Sequence, residues 1–193
     1  MPEPWTSVRS LSECATNLAA FARDASHART VDRACTLLAE RLRAGGKLLA
    51  IGNGGSACDA AHFCEELTGR FRKDRPPLAA IACTEPGHIT CTANDFGYDE
   101  VFARWVDALA RADDALIALS TSGNSENVVR AVERAKARGV LTITLLGKGG
   151  GRLRGVGDVE IIAPGETADR IQEVHKLVLH TLVEGVEHAL GHA

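Results

Sequence analysis

Between Lys47 and Arg70 the chain reads KLLAIGNGGSACDAAHFCEELTGR, and this stretch constrains the fold more than any other. Lys47 to Ile51 is a short apolar run, long enough for one buried strand. Gly52-Asn53-Gly54-Gly55 breaks it, and from Ser56 onward Ala57, Ala60, Ala61, Cys64 and Leu67 recur at helical spacing. A strand, a glycine loop and a serine-capped helix leave free backbone N–H groups and the positive end of a helix dipole where an anion can sit. The same helix carries His62 and Glu66, four residues apart and therefore on one face.

The rest of the chain repeats this grammar. Val8 to Arg43 reads as two helices, with Leu11, Ala15, Leu18 and Ala19 on one stripe and Val31, Ala34, Leu37, Leu38 and Leu42 on another. An arm placed before the first strand has few neighbours in its own subunit, so its stripes are expected to pack on another subunit. Strands are predicted over Leu78–Cys83, Ala115–Leu119, Val140–Leu146 and Val159–Ile162. Between them come a short helix breaking near Asn94-Asp95, a helix from Tyr98 to Ala110 and another from Glu126 to Arg138 closed by Gly139. The buried side of the second is expected to hold Val101, Phe102, Trp105, Val106 and Leu109. Glycines from 147 to 157 mark a mobile or closely packed stretch with at most one helical turn, and a long helix runs from about Thr167 to Leu190. Alternating strands and helices predict a parallel sheet covered on both faces, a doubly wound, flavodoxin-like α/β sandwich. We read 1–193 as one domain, with a helical arm over about 1–45 and an α/β core over about 46–193. Ligands of such sheets bind beyond the carboxyl ends of the strands. The loops at 52–56 and 120–125 lie at that edge.

A formal charge of -3 argues against a general nucleic-acid binder, which relies on a basic surface. No apolar run approaches the ~18 residues of a membrane span. MPEPWTS lacks a basic stretch followed by an apolar one, and the six cysteines form no CxxC, so reduced thiols in a cytoplasm are expected.

Ser120-Thr121-Ser122-Gly123-Asn124-Ser125 offers four hydroxyls, an amide and a helix start. A phosphate monoester needs several donors around its oxygens, and this loop supplies them without a lysine. An ordinary strand-to-helix turn uses the same residue types, and the loop does not match the Walker pattern. His62 and Glu66 also suit a stabilising ion pair on a solvated face. The last helix adds Asp169, Gln172, His175 and His180, with 172 and 180 about two turns apart and so roughly on one side. Two imidazoles, a carboxylate and an amide oxygen make a divalent-metal site, zinc first among the candidates, while apolar neighbours allow His175 and His180 to be structural.

Taken together, GNGGS (52–56), HFCEELTGR (62–70), the turn Asn94-Asp95-Phe96-Gly97-Tyr98, STSGNS (120–125) and ADRIQEVH (168–175) with His180 resemble the bacterial phosphoheptose isomerases. These are sugar-isomerase (SIS) domain proteins. The resemblance runs over nearly the whole chain, in five separated places and in order. It implies a homotetramer, with active sites assembled from more than one subunit, that interconverts sedoheptulose 7-phosphate and glycero-manno-heptose 7-phosphate for the heptose of lipopolysaccharide core or other surface glycans. It further implies one zinc per subunit held by His62, Glu66, Gln172 and His180, with Glu66 and His180 as the acid/base pair. Asn53, Gly54, Gly55, Asn94 and Asp95 would contact the sugar; Ser120, Thr121, Ser122 and Ser125 the phosphate; Asp169 and Gln172 would close the site. Arg70 and Arg170 lie near enough in sequence to contribute. Departures from the family pattern fall in the 84–87 turn, the 147–157 stretch and the 163–168 approach, which bear on the rim and on the choice among sugar phosphates.

A carboxylate bound to zinc is a weaker base. Either the Glu66 contact loosens when substrate arrives, or the metal mainly positions the sugar; Glu66 is read as base and His180 as acid. The nearest rival is a non-catalytic SIS tetramer similar to the protein that associates with the replication initiator DnaA. Such relatives keep the serine loop and lose the acid/base side chains, whereas Glu66 and His180 are both present here. A SIS module that only senses a sugar phosphate is a second rival, and an isomerase of pentose or hexose phosphates is a third.

Overall fold

The computed structural model describes residues 4–192. Two helices, α1 (Ser7–Arg23) and α2 (Ala25–Arg43), precede β1 (Leu48–Ile51) and α3 (Gly55–Thr68). There follow β2 (Ala80–Ala82), α4 (Pro86–Phe96), a 3-10 turn at Tyr98–Glu100, α5 (Val101–Leu109), β3 (Ala115–Ser120) and α6 (Glu126–Ala137). β4 (Leu141–Leu146), a 3-10 stretch at Lys148–Leu153, β5 (Val159–Ile162) and α7 (Ala168–Leu190) complete the chain.

All five strands pair in parallel, in the order β2-β1-β3-β4-β5. Leu48 stands opposite both Ala80 and Ala115, so the three strands on that side share one register. Every residue of β1, β3 and β4 is buried, as a sheet covered on both faces requires. Side chains alternate between two cores. Leu48, Ala50 and Ile117 join α2, α3 and α7 on one face, while Leu49, Ile51 and Leu116 join α5 and α6 on the other. Strand order reverses between β1 and β3, the switch point of such a sheet, whose ligands bind in the crevice beyond the carboxyl ends of those strands. The two polar loops flank that crevice.

Four local features differ from expectation. The helix expected to break near Asn94-Asp95 runs on to Phe96, because the stop is Gly97 at φ 88. Leu109 is 37% exposed at the end of α5, where the helix has run past its partners. Ser56 does not cap α3: the N-cap is Gly54, at φ 55, and no side chain caps that end. The strand expected over Leu78–Cys83 is confined to Ala80–Ala82, an edge position after Pro76-Pro77.

The arm divides. Val31, Ala34, Cys35 and Leu38 of α2 are buried in the core shared with α7 and β5, so the expectation that this stripe packs on another subunit is overturned. Gly185 makes the approach possible, since a Cβ there would collide with Cys35. Leu38 has no exposed surface, and truncating it to Ala would cost about 2–5 kcal/mol. By contrast α1 buries only Phe21, which stacks on His27 at 4.3 Å, and leaves Leu11 71% exposed. Among the described residues, no helix is long and apolar enough to cross a membrane.

Candidate active site

α3 and α7 lie side by side on one face of the sheet and bring together residues 118 apart in sequence. His62 Nε2 lies 3.1 Å from His180 Nε2 and 3.2 Å from Glu66 Oε1. One candidate ligand atom from each of the three falls within 4.8 Å of the others. The His180 ring sits 5.9 Å from that of Phe71. Burial, followed by the nearby His62, pushes the His180 pKa down, so its imidazole is held neutral at neutral pH. Two imidazoles and a carboxylate converging on one point are a donor set that fits a divalent cation, zinc included.

Gln172 shares α7 with His180. It stands eight residues before His180, about 12 Å along α7. Its amide donates to Ser56 Oγ at 3.4 Å, and it presses so closely on Gly55 that a Cβ there would lie 2.7 Å from Gln172 Oε1. Gly55, Asp169 and Gln172 line one cleft of about 590 Å³. Asp169 lies mostly in solvent, its carboxyl held below the usual range by a hydrogen bond with Thr167. Arg170 is committed elsewhere: it pairs with Glu173 and donates to Ser10 Oγ at 2.7 Å, pinning α1 to α7. Arg70 is exposed.

Across the crevice, α6 begins at Ser125 with no side-chain cap, so its first-turn N–H groups face the loop unpaired by any side chain. The four hydroxyls have separate duties. Ser120 Oγ accepts from Gly123 N at 3.1 Å and Ser122 Oγ from Asn124 N at 3.1 Å, which shape the loop. Thr121 and Ser125 form no side-chain bond within the loop and are available to a ligand. The glycine stretch that follows β4 packs against this loop. Leu153 N donates to Gly123 O at 3.1 Å, and Arg152 N to Asn124 Oδ1 at 3.0 Å. Of the two readings of 147–157, closely packed is the one the contacts support.

Asn53 is held from two sides. Its amide and that of Asn127 exchange two 2.9 Å hydrogen bonds across the crevice, and the Tyr98 hydroxyl donates to Asn53 Oδ1 at 2.9 Å. Asn127 is buried in the first turn of α6 and carries no signal in the sequence, where a polar residue just inside a helix start is commonplace. Asn94 and Asp95 sit exposed on the last turn of α4 and bond to each other at 2.7 Å, with no contact to the trio.

A parallel sheet of this order, two uncapped helix starts at its switch point and a neutral imidazole beside a carboxylate define a phosphosugar-binding α/β protein. Residues 14–147 match the SIS domain family. The phosphoheptose isomerase of Yersinia enterocolitica is 51% identical over 178 residues, 92% of this chain and 92% of that protein. Among solved structures, phosphoheptose isomerase GmhA from Neisseria gonorrhoeae superposes with a TM-score of 0.86 at 37% identity, covering 94% of this chain and 96% of that one. A phosphoheptose isomerase from Francisella tularensis gives 0.88 at 33% identity, covering 95% and 100%. The chain belongs to the phosphoheptose isomerase family of SIS-domain proteins.

Proposed function

We propose that this protein is an aldose–ketose isomerase converting D-sedoheptulose 7-phosphate to D-glycero-D-manno-heptose 7-phosphate, the entry to activated heptose for lipopolysaccharide core or surface glycans. The observation that carries the reading is the convergence of Glu66 and His180, 114 residues apart in sequence, on one point with His62. Moving the carbonyl from C2 to C1 requires a base to take a proton from C1 and return it to C2, through a cis-enediol. Glu66 is that base. His180, kept neutral by burial and by His62, donates to the carbonyl oxygen and relays the proton between O1 and O2. Each group contributes on the order of 10²–10⁴-fold.

The phosphate docks on Ser120, Thr121, Ser122 and Ser125 and the uncapped start of α6, the hydroxyls of Ser120 and Ser122 also shaping the loop. Asn53, fixed by Asn127 and Tyr98, directs its remaining amide proton at the sugar, near Gly54 and Gly55. His62, Glu66, Gln172 and His180 would hold one zinc, which when bound would stabilise the enediolate charge. Gln172 and the exposed pair Asn94 and Asp95 reach the sugar when a homotetramer assembles the site from more than one subunit, in the cytoplasm. The exposed apolar face of α1 supports that assembly. Loss of both acid/base groups would define a binding protein; their retention within reach of each other favours the enzyme.

Purified protein supplied with sedoheptulose 7-phosphate tests the proposal. An aldose heptose phosphate is the expected product, and Glu66→Gln is expected to remove nearly all of its formation. Wild-type turnover in Glu66→Gln would remove the assigned base.

A further inference from the structure

We propose that Arg75 is a positioning residue that sets the separation of Glu66 and His180; the inference rests on the isomerase reading and deepens it. Arg75 follows α3 in the connection to β2, and its side chain is 2% exposed. Its Nη2 donates to the carbonyl of Glu66 itself at 2.7 Å, and its Nη1 to that of Leu67 at 2.6 Å, reaching Gly69 O at 3.3 Å and Pro76 O at 3.2 Å. On its other edge, Nε donates to Glu187 Oε1 at 2.7 Å, and that carboxylate is 6% exposed. Glu187 lies seven residues beyond His180, two turns along α7 and on the same face.

One planar fork therefore ties the backbone of the base to the helix that carries the imidazole. The last carbonyls of a helix lack intrahelical partners and form the negative end of its dipole, so a cation there is favoured. Capping alone does not need burial, and removing both charges from water is costly. What the buried arrangement adds is direction, because a guanidinium fixes five donors in a plane whereas an ammonium does not. An exposed counterpart joins the same two regions: Arg72 to Glu184 at 2.7 Å, at 62% and 52% exposure. That pair is free to move and serves as the internal control.

Three variants test this. In Arg75→Lys the charge stays but one ammonium cannot span Glu66 O and Glu187 together; kcat is expected to fall about 10- to 100-fold with KM within about threefold, as for a small misplacement of reacting groups. The double variant Arg75→Met/Glu187→Leu removes both buried charges, so folding is retained. It is expected to melt close to wild type yet keep the low kcat, and to release zinc to a chelator faster than wild type. Glu184→Gln should match wild type in both readouts. A double variant that melts, turns over and holds zinc like wild type would overturn the proposal and make the pair purely structural. If wild type is inert on sedoheptulose 7-phosphate the isomerase reading fails by itself. Zinc release then decides the clamp, an unchanged rate in the double variant or a wild type without zinc overturning it.

Discussion

Replacing Gly123 by Ala separates two costs that are usually confounded. Gly123 and Gly155 both have positive φ, +65 and +72, so a side chain at either meets the same backbone penalty of about 1–2 kcal/mol. Their surroundings differ. A Cβ at 155 has nothing within 4 Å, whereas one at 123 would lie 1.8 Å from Gly150 O. Gly150 cannot simply retreat, because its neighbour Gly151 is already packed on Ser122 O and Asn124. Overpacking adds about 1–3 kcal/mol, giving about 2–5 kcal/mol for Gly123→Ala. At about 2–4 °C per kcal/mol for a chain of 193 residues, the midpoint falls by about 2–8 °C in Gly155→Ala and about 4–20 °C in Gly123→Ala. Because the displaced backbone carries Ser122 and Asn124, KM for the sugar phosphate should rise severalfold in Gly123→Ala only, with kcat at saturation retained. Thermal melts at matched protein concentration and steady-state kinetics read both effects. Equal melting losses in the two variants, with KM unchanged in Gly123→Ala, would refute the packing of the glycine stretch against the phosphate loop.

Other expectations follow from single groups. Glu66→Gln and His180→Asn should each lower kcat by on the order of 10²–10⁴-fold, checked by aldose formation. Exhaustive dialysis followed by elemental analysis should leave about one zinc per chain, and His62→Ala should lose it. Stability should fall on acidification through His175, which is fully buried and donates through Nε2 to Leu146 O at 3.1 Å. Burial holds its pKa below the ordinary value of about 6.5. Below that value the unfolded chain takes a proton the folded chain refuses, so stability is lost as pH drops from there toward the folded pKa, by at most about 1.4 kcal/mol per unit. Urea midpoints at successive pH values should show this slope in wild type and a shallower one in His175→Gln.

Much of this architecture is legible in the chain. The apolar runs at 48–51, 115–120 and 141–146 can only be buried strands, and the loops after the first two have to share one sheet edge. Helix ends are harder, because one glycine decides them: Gly54 supplants Ser56 as the cap, and Gly97 outlasts Asn94-Asp95 as the stop. The arm misleads for a different reason. Periodicity marks the stripe on α2 but not what covers it, and its cover, α7, is the last element of the chain. Pairing of Glu66 with His62 needs only helical spacing, whereas the approach of His180 to His62 joins residues 118 apart and is set by the packing of α7 on α3. Arg75 carries no local signal, since its partner Glu187 is 112 residues away. The thiols also divide: Cys35, Cys64 and Cys83 are buried, with burial pushing them up to about 11, 12 and 12, while Cys58 and Cys91 are exposed.

The most direct test follows ¹³C-labelled sedoheptulose 7-phosphate by NMR in the presence of wild type and of Glu66→Gln. The account predicts aldose anomeric signals growing with wild type and growing on the order of 10²–10⁴-fold more slowly with the variant. A substrate that binds to wild type and stays a ketose would contradict it.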